Sequence, residues 1–453
     1  MNNNYNYNSS SIDRLGKIPR NWKVVKWKYL SNEPMMYGAN ESAELDDREL
    51  PRYIRITDLD SYGNLKDDTF KSLPLDKAKG YMLINGDILL ARSGATVGKA
   101  YIHKDDLDAC FAGYLIRYRP NQSKIIPRLV YYFTQTGLYA DWIRENTIQA
   151  TIQNVSAEKY ANLSMPVPPL EEQENIVYFL DEKTSEIDSL IADKEKLIEL
   201  LEEKHQAIIT EAVTKGLNPN AKMKDSGVEW IGEIPEHWEI KKFKRGIEFL
   251  TDYEANGSFQ DNKENVSLDT GEPYAWYVRA TDLENKRYGL VEGNRYCDHD
   301  TYEYLSKTKL YGGELLIAKR GEIGKVYLMP KVQSLSTLAP NLYLIRLNNK
   351  LDPTFAYYWF ISVYGNKELV NANKSTTIGA LYKDDVKECL CVFSDTEEQK
   401  QIAKFLKQKT DEVNLVIEQV KKQIEKLKEY RQSLIYEAIT GKIDVRDYKK
   451  VLS

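Results

Sequence analysis

The sequence predicts a mixed α+β protein in which one unit, a globular domain followed by a long helix, is written twice. Three observations predict it. Short segments return after 216 to 227 positions: Ile18-Pro19-Arg20-Asn21-Trp22 as Ile234-Pro235-Glu236-His237-Trp238, Tyr53-Ile54-Arg55-Ile56-Thr57-Asp58-Leu59 as Tyr277-Val278-Arg279-Ala280-Thr281-Asp282-Leu283, Gly86 to Arg92 as Gly313 to Lys319, and Glu171-Glu172-Gln173 as Glu397-Glu398-Gln399. A period this long is too great for a solenoid, so each copy is a domain with its helix. Both copies also end in an apolar stripe at steps of three, four and seven, which is a coiled-coil seam.

In chain order, residues 1–12 are Asn- and Ser-rich without an apolar core, which reads as a disordered lead and not a signal peptide. Residues 13–170 form the first globular block. β-prone runs such as Arg52-Tyr53-Ile54-Arg55-Ile56 and Tyr114-Leu115-Ile116-Arg117-Tyr118 are broken by the turn signals Gly63-Asn64 and Asn85-Gly86. Residues 171–215 follow as the first long helix, with seam positions Ile176, Leu180, Ile187, Leu190, Leu197 and Leu201. Residues 216–229 are a linker and 230–396 the second block. Residues 397–441 are the second long helix, with Ile402, Leu406, Val413, Val420, Ile424 and Leu427 on its seam, and 442–453 a tail. Gly216 and Gly441 mark the helix exits. The narrow stripes predict that the two helices pair with each other in an antiparallel two-helix coiled coil, with the blocks related by a pseudo-two-fold axis. At ~1.5 Å per residue, about 45 residues span roughly 65 Å.

Composition sets the outer limits. The 453 residues suffice for two or three domains, and no apolar run nears the length of a membrane span. The four cysteines, Cys110, Cys297, Cys389 and Cys391, suggest neither a disulfide framework nor a zinc site, and a reducing cytoplasm fits best. The net charge of −5 is uneven: residues 171–215 carry 13 acidic and 5 basic groups, whereas residues 1–170 carry 19 and 22. Global charge therefore neither supports nor excludes a nucleic-acid surface.

The motifs that suggest catalysis fail on inspection. Gly94-Ala95-Thr96-Val97-Gly98-Lys99-Ala100 is one residue short of a phosphate loop and has alanine where magnesium needs a hydroxyl. Pro168-Pro169 lacks the polar side chain with which adenine methyltransferases hold the target amine, and no Gly-rich loop offers a place for S-adenosylmethionine. The histidines are scattered, and no nucleophile or paired-carboxylate constellation repeats. No catalytic or metal site is expected.

What repeats is a turn carrying bases. Arg92, Ser93, Thr96 and Lys99 lie in one loop, and Lys319, Arg320 and Lys325 in its counterpart. Arg55 and Thr57 match Arg279 and Thr281 after a strand, and Gln149, Thr151 and Gln153 match Thr376 and Thr377. Exposed amides, cations and short hydrogen-bonding side chains suit phosphates and base edges. Any single one of these residues could instead fix its own loop; as a set they read as DNA contacts.

The segment Asp225-Ser226-Gly227-Val228-Glu229-Trp230-Ile231-Gly232-Glu233-Ile234-Pro235-Glu236-His237-Trp238 resembles the opening of a target-recognition domain in type I restriction–modification specificity subunits. Pro168-Pro169-Leu170-Glu171-Glu172-Gln173 and Thr396-Glu397-Glu398-Gln399 resemble the family's helix starts, and the likeness covers nearly all of residues 13–445. The first copy departs by keeping only Gly16-Lys17-Ile18-Pro19 of the fuller opening.

The resemblance implies two tandem target-recognition domains separated by the helices, reading an asymmetric, bipartite double-stranded DNA target, one half-site per domain, in a non-catalytic subunit. It implies as partners two modification subunits that methylate adenine with S-adenosylmethionine, and restriction subunits that use ATP and Mg²⁺. No cofactor is expected on this chain, and the location implied is cytoplasmic and nucleoid-associated. Three other readings are the recognition subunit of a related system whose partner fuses methylation and cleavage, a coiled-coil scaffold without DNA readout, which would show no salt-dependent affinity for DNA, and an enzyme acting alone.

Overall fold

The structure, a computed structural model, describes residues 5–10, 13–60, 63–104, 107–147, 154–373 and 379–448. It forms two units, residues 1–195 with 421–453 and residues 196–420. The unit in space is thus not the repeat in sequence: each takes one globular domain together with a part of both long helices, Leu170–Lys215 and Thr396–Ile439.

In the first unit the framework is a four-stranded antiparallel sheet in the order Met36–Tyr37, Leu115–Tyr118, Ile88–Ala91, Ala100–Ile102. Its central strands, Ile-Leu-Leu-Ala and Leu-Ile-Arg-Tyr, are buried at every position. Lys23–Lys26 pairs with Ser164–Val167, so the start and end of the domain close on each other. Arg52–Ile54 and Ala109–Phe111 form a further, parallel pair. Beneath them Trp27 stacks on Tyr118 at 4.9 Å, in an aromatic layer with Phe133, Tyr139 and Tyr160.

The second unit repeats this plan with Ile247–Asp252, Leu342–Leu347, Leu315–Ala318 and Val326–Leu328 in the same order, closed by Glu239–Lys242 against Leu390–Phe393. Its second sheet is larger: Ala275–Val278 is flanked by Tyr296–Cys297 and, in parallel, Leu335–Leu338, with Lys309–Leu310 beyond. Cys389 and Cys391 lie at the strand Leu390–Phe393, both buried, and burial pushes the Cys389 thiol up to about 12. Among the described residues no three His, Cys, Asp or Glu side chains gather as a metal site.

The repeated motifs lock onto one another. Glu172 accepts from Trp22 Nε1 at 3.0 Å, from Asn21 and from Tyr5, while Glu398 accepts from Trp238 Nε1 at 2.8 Å and faces His237 at 2.9 Å. Gln173 bonds the backbone of Ile126, Lys124 and Pro168; Gln399 bonds that of Asp352, Lys350 and Ser394. A buried Gln that satisfies three main-chain groups at a helix start fixes the angle at which helix and domain meet. The Ile-Pro-x-x-Trp and Glu-Glu-Gln repeats are therefore the two halves of one joint.

The helices pair antiparallel within each unit. In the first, Arg431 bonds Asp188 at 2.8 Å and Lys194 bonds Gln423 at 2.7 Å; in the second, His205 bonds Thr410 at 2.9 Å. Ile176, Leu180, Ile187, Ile402, Leu406, Val420 and Ile424 are buried, and Leu201, Val413 and Leu427 half-buried. Leu190 and Leu197 correct the expected seam: they are 48% and 42% exposed, and Ile191, with Ile198 after it, turns inward in their place. From Ile187 the seam steps by four and not three. With apolar residues adjacent at 190–191 and 197–198, either step fits the pattern, and the helical average of about 3.6 residues per turn selects the second.

Within the expected disordered lead, residues 5–10 are folded, and 1–4 and 11–12 lie outside the described residues. Tyr7–Ser9 is a strand paired with Lys17–Pro19, Tyr5 is buried, and the Tyr7 hydroxyl donates to Gly441 O at 2.8 Å. The tail is likewise folded onto the first unit, with Arg446 4.4 Å over the Tyr5 ring and Tyr448 edge-on to Phe179 at 4.9 Å. In the expected linker, Met223–Asp225 pairs with Glu233–Pro235.

Candidate nucleic-acid interface

The repeated loops occupy equivalent places on the two frameworks. In the first domain the chain leaves Ala91, turns through Gly94–Thr96 and returns at Ala100, with Gly98 N donating to Ala91 O at 3.0 Å. In the second it leaves Ala318 and returns at Val326, with Ala318 N donating to Lys325 O at 3.0 Å. Gly94 and Gly98, like Gly321 and Gly324, hold φ between 75° and 94°, a region costly for any side chain. Arg92 N donates to Tyr114 O and Lys319 N to Asn341 O; Arg92 O accepts from Val155 N and Lys319 O from Leu381 N. Ser93 bridges Asn154 and Arg320 bridges Ala380. Arg92 and Lys319 are therefore equivalent positions, as are Ser93 and Arg320.

Their environments differ. The Arg92 guanidinium lies 4.7 Å over the Tyr37 ring, itself 40% exposed. One Nη contacts Gly113 O at 3.4 Å, and Nε has no hydrogen-bond partner. Lys319 is buried, its Nζ 2.9 Å from Asp252 and 3.1 Å from Glu254, while Lys383 holds the other Asp252 oxygen at 2.8 Å. Burial alone would raise the Asp252 pKa, but the hydrogen bonds from Lys383 and Lys319 outweigh it and hold the carboxyl below its ordinary value. Register explains the divergence: Tyr37 pairs with Ile116 where Asp252 pairs with Tyr343, each one residue beyond the pair that faces the strand end. Aromatic ring and carboxylate occupy the same place under the same cation.

Two other expected contacts turn out to serve the fold. Arg55 forks onto buried Asp58 at 2.7 and 3.2 Å and donates to Thr69 O; Arg279 forks onto buried Asp282 at 2.6 and 3.2 Å and donates to Gly293 O. The same Asp accepts the arginine's own N–H, so the Arg-x-x-Asp repeat is a helix-start clamp. Arg55, Arg279 and Lys319 thus have internal partners, with Lys319 buried among them. Thr57 and Thr281 are exposed beside these clamps. Thr96 and Lys99 are half-buried, Lys99 reaching Asp60 O at 3.4 Å, and Lys325 pairs with Glu284 at 2.7 Å and with Glu322. Arg320 is exposed. Gln149, Thr151, Gln153, Thr376 and Thr377 lie outside the described residues. Tyr37 and Asp252 were missed because they belong to no repeated motif; the signal that marks them is disagreement between the copies.

Comparison with known proteins follows the same division. A model of the type I restriction modification DNA specificity domain matches residues 19–200 and again 250–426. The type I restriction enzyme MjaVIII specificity subunit of Methanocaldococcus jannaschii is 25% identical over 443 residues, covering 95% of each chain. The EcoKI specificity subunit of Escherichia coli K12 is 24% identical over 445 residues, 94% of this chain and 90% of that one. A solved chain from a study of complex assembly and conformational transition in the type I R-M system superposes with a TM-score of 0.72 over 94% of this chain and 99% of its own, at 14% identity, a likeness of fold.

Proposed function

Because the chain belongs to the type I restriction–modification DNA specificity family, we propose that it reads a bipartite, asymmetric target in double-stranded DNA, one half-site per domain. The observation that carries this reading is the exchange of Tyr37 for Asp252 on a shared framework: the same loop position carries a stacked arginine in one domain and a neutralised lysine in the other. Two readers that differ at the same place select different half-sites. Their joint target is then not a palindrome.

In this reading the chain has no active site of its own. Methylation and cleavage belong to modification and restriction subunits, which carry S-adenosylmethionine, ATP and Mg²⁺. The long helices set the gap between half-sites and offer the modification subunits a surface that includes exposed Leu197 and Leu200. Half-sites read from one face of the duplex lie about 34 Å, or a multiple of that, apart.

The test is a salt titration of duplex binding by the chain with its modification subunits. The log of the affinity falls with log salt by about 0.9 for each phosphate contacted. A flat response would favour the scaffold reading and overturn this one.

A further inference from the structure

Resting on that reading, we infer that the two domains present their DNA-contacting arginine one residue out of step: Arg92 in the first domain, Arg320 in the second, with Lys319 serving as an internal counter-ion. At the strand-end position Arg92 has Tyr37 beneath it. The ring backs the guanidinium of half-buried Arg92 without taking a hydrogen bond from it; Nε is buried and unpartnered, and one Nη reaches Gly113 O at 3.4 Å, so the Nη edge is the one left to meet DNA. A guanidinium pinned by stacking has little rotamer freedom left to lose, and its fork matches a pair of acceptors. A guanine edge presents such a pair, and so does a phosphate.

At the same position in the second domain, Asp252 replaces the ring and draws Lys319 inward. With Asp252, Glu254 and Lys383 around it, that ammonium is compensated before any DNA arrives. The next residue then differs between the copies. Ser93, half-buried, follows Arg92, whereas Arg320, exposed, follows Lys319, each bridging the segment that returns to the loop. The carboxylate that removes one cation is accompanied by a second cation one step further along. Tyr37 and Asp252 thus decide which loop position is free to bind.

The experiment uses the full chain assembled with its modification subunits, in five forms: wild type, Arg92→Gln, Arg92→Lys, Arg320→Gln and Lys319→Met. The methylated sequence is first mapped for wild type. Binding is then measured across a salt series to that duplex and to duplexes with either half scrambled, and folding is followed by thermal melting. Arg92→Gln and Arg320→Gln are each expected to weaken target binding by roughly tenfold or more, each while sparing discrimination at the opposite half. A relaxed base preference at one half assigns the arginine to a base edge. A uniform loss, with a salt slope shallower by about one, assigns it to a phosphate. Lys319→Met is expected to lower the melting temperature and leave half-site discrimination intact. Arg92→Lys, which keeps charge but not the fork, guards against a folding artefact by melting like wild type; it should bind like Arg92→Gln if the arginine reads a base edge and keep most of the binding if it holds a phosphate. Unchanged binding by both glutamine variants, with wild type steeply salt-dependent, would overturn the assignment alone. A folded Lys319→Met that lost its half-site would do the same. Wild type without salt dependence would overturn the underlying reading as well.

Discussion

Asp252, itself buried, sits between two lysines, and its depressed pKa ties stability to pH. A carboxylate whose folded pKa lies below its unfolded value of 3.8 contributes stability that is complete above that value and disappears as pH falls through the folded one. Wild type should therefore unfold more easily below pH 3.8, while Asp252→Asn, less stable at neutral pH, should lack this component. Denaturant melts from pH 6 downward should show the gap between the two closing with acid; a constant gap would contradict the assignment. Gly441 gives a second residue-level test. Its φ of 67° disfavours any side chain, and a Cβ would meet the Pro19 ring at 2.5 Å. Gly227 has φ of 74° with open space around it. Gly227→Ala should cost only the left-handed strain of ~1–2 kcal/mol, and Gly441→Ala more, by calorimetry; equal costs would contradict the packing. The sequence announced Gly441 as a helix exit. It could not announce the proline ring, because that contact joins positions more than 400 residues apart.

Among the elements, the long helices were the most legible and still held the largest error. Heptad spacing located both helices and their antiparallel pairing, but Leu190-Ile191 and Leu197-Ile198 each offered two apolar neighbours for one inward place. Ile191→Asp should destabilise the chain by several kcal/mol, since it buries an unpaired charge. Leu197→Asp should leave the melting temperature near wild type, because Leu197 already faces out. If Leu197→Asp unfolds the chain, the seam assigned here is wrong. Under the proposed function the same variant should still weaken capture of modification subunits, as read by co-purification. The joints were legible only as separate words: Ile-Pro-x-x-Trp and Glu-Glu-Gln repeat visibly, but the Trp-to-Glu bonds that unite them lie at separations of 150 and 160 residues. Trp238→Phe deletes the donor to Glu398 and keeps most of the ring volume, so it should cost about 1–3 kcal/mol, the worth of one hydrogen bond to a charged acceptor that still faces His237.

For the whole molecule, doubling in the sequence identified the architecture, and under the proposed function selectivity lies where the doubled parts diverge. Repeated residues such as Arg55 and Arg279 hold each domain together. Positions where the copies disagree, Tyr37 against Asp252 and Ser93 against Arg320, sit at the loops where selectivity is expected. A search for shared motifs finds what holds each domain together and, under that proposal, passes over what would distinguish the half-sites. The central claim is that two independent domains read two halves of one target. Its most direct test is to replace residues 13–170 with the matching domain of another family member and map methylated adenines across the genome of a host carrying the partner subunits. One half of the methylated sequence should change while the other half and the gap between them persist. A target altered in both halves, or in neither, would contradict the account.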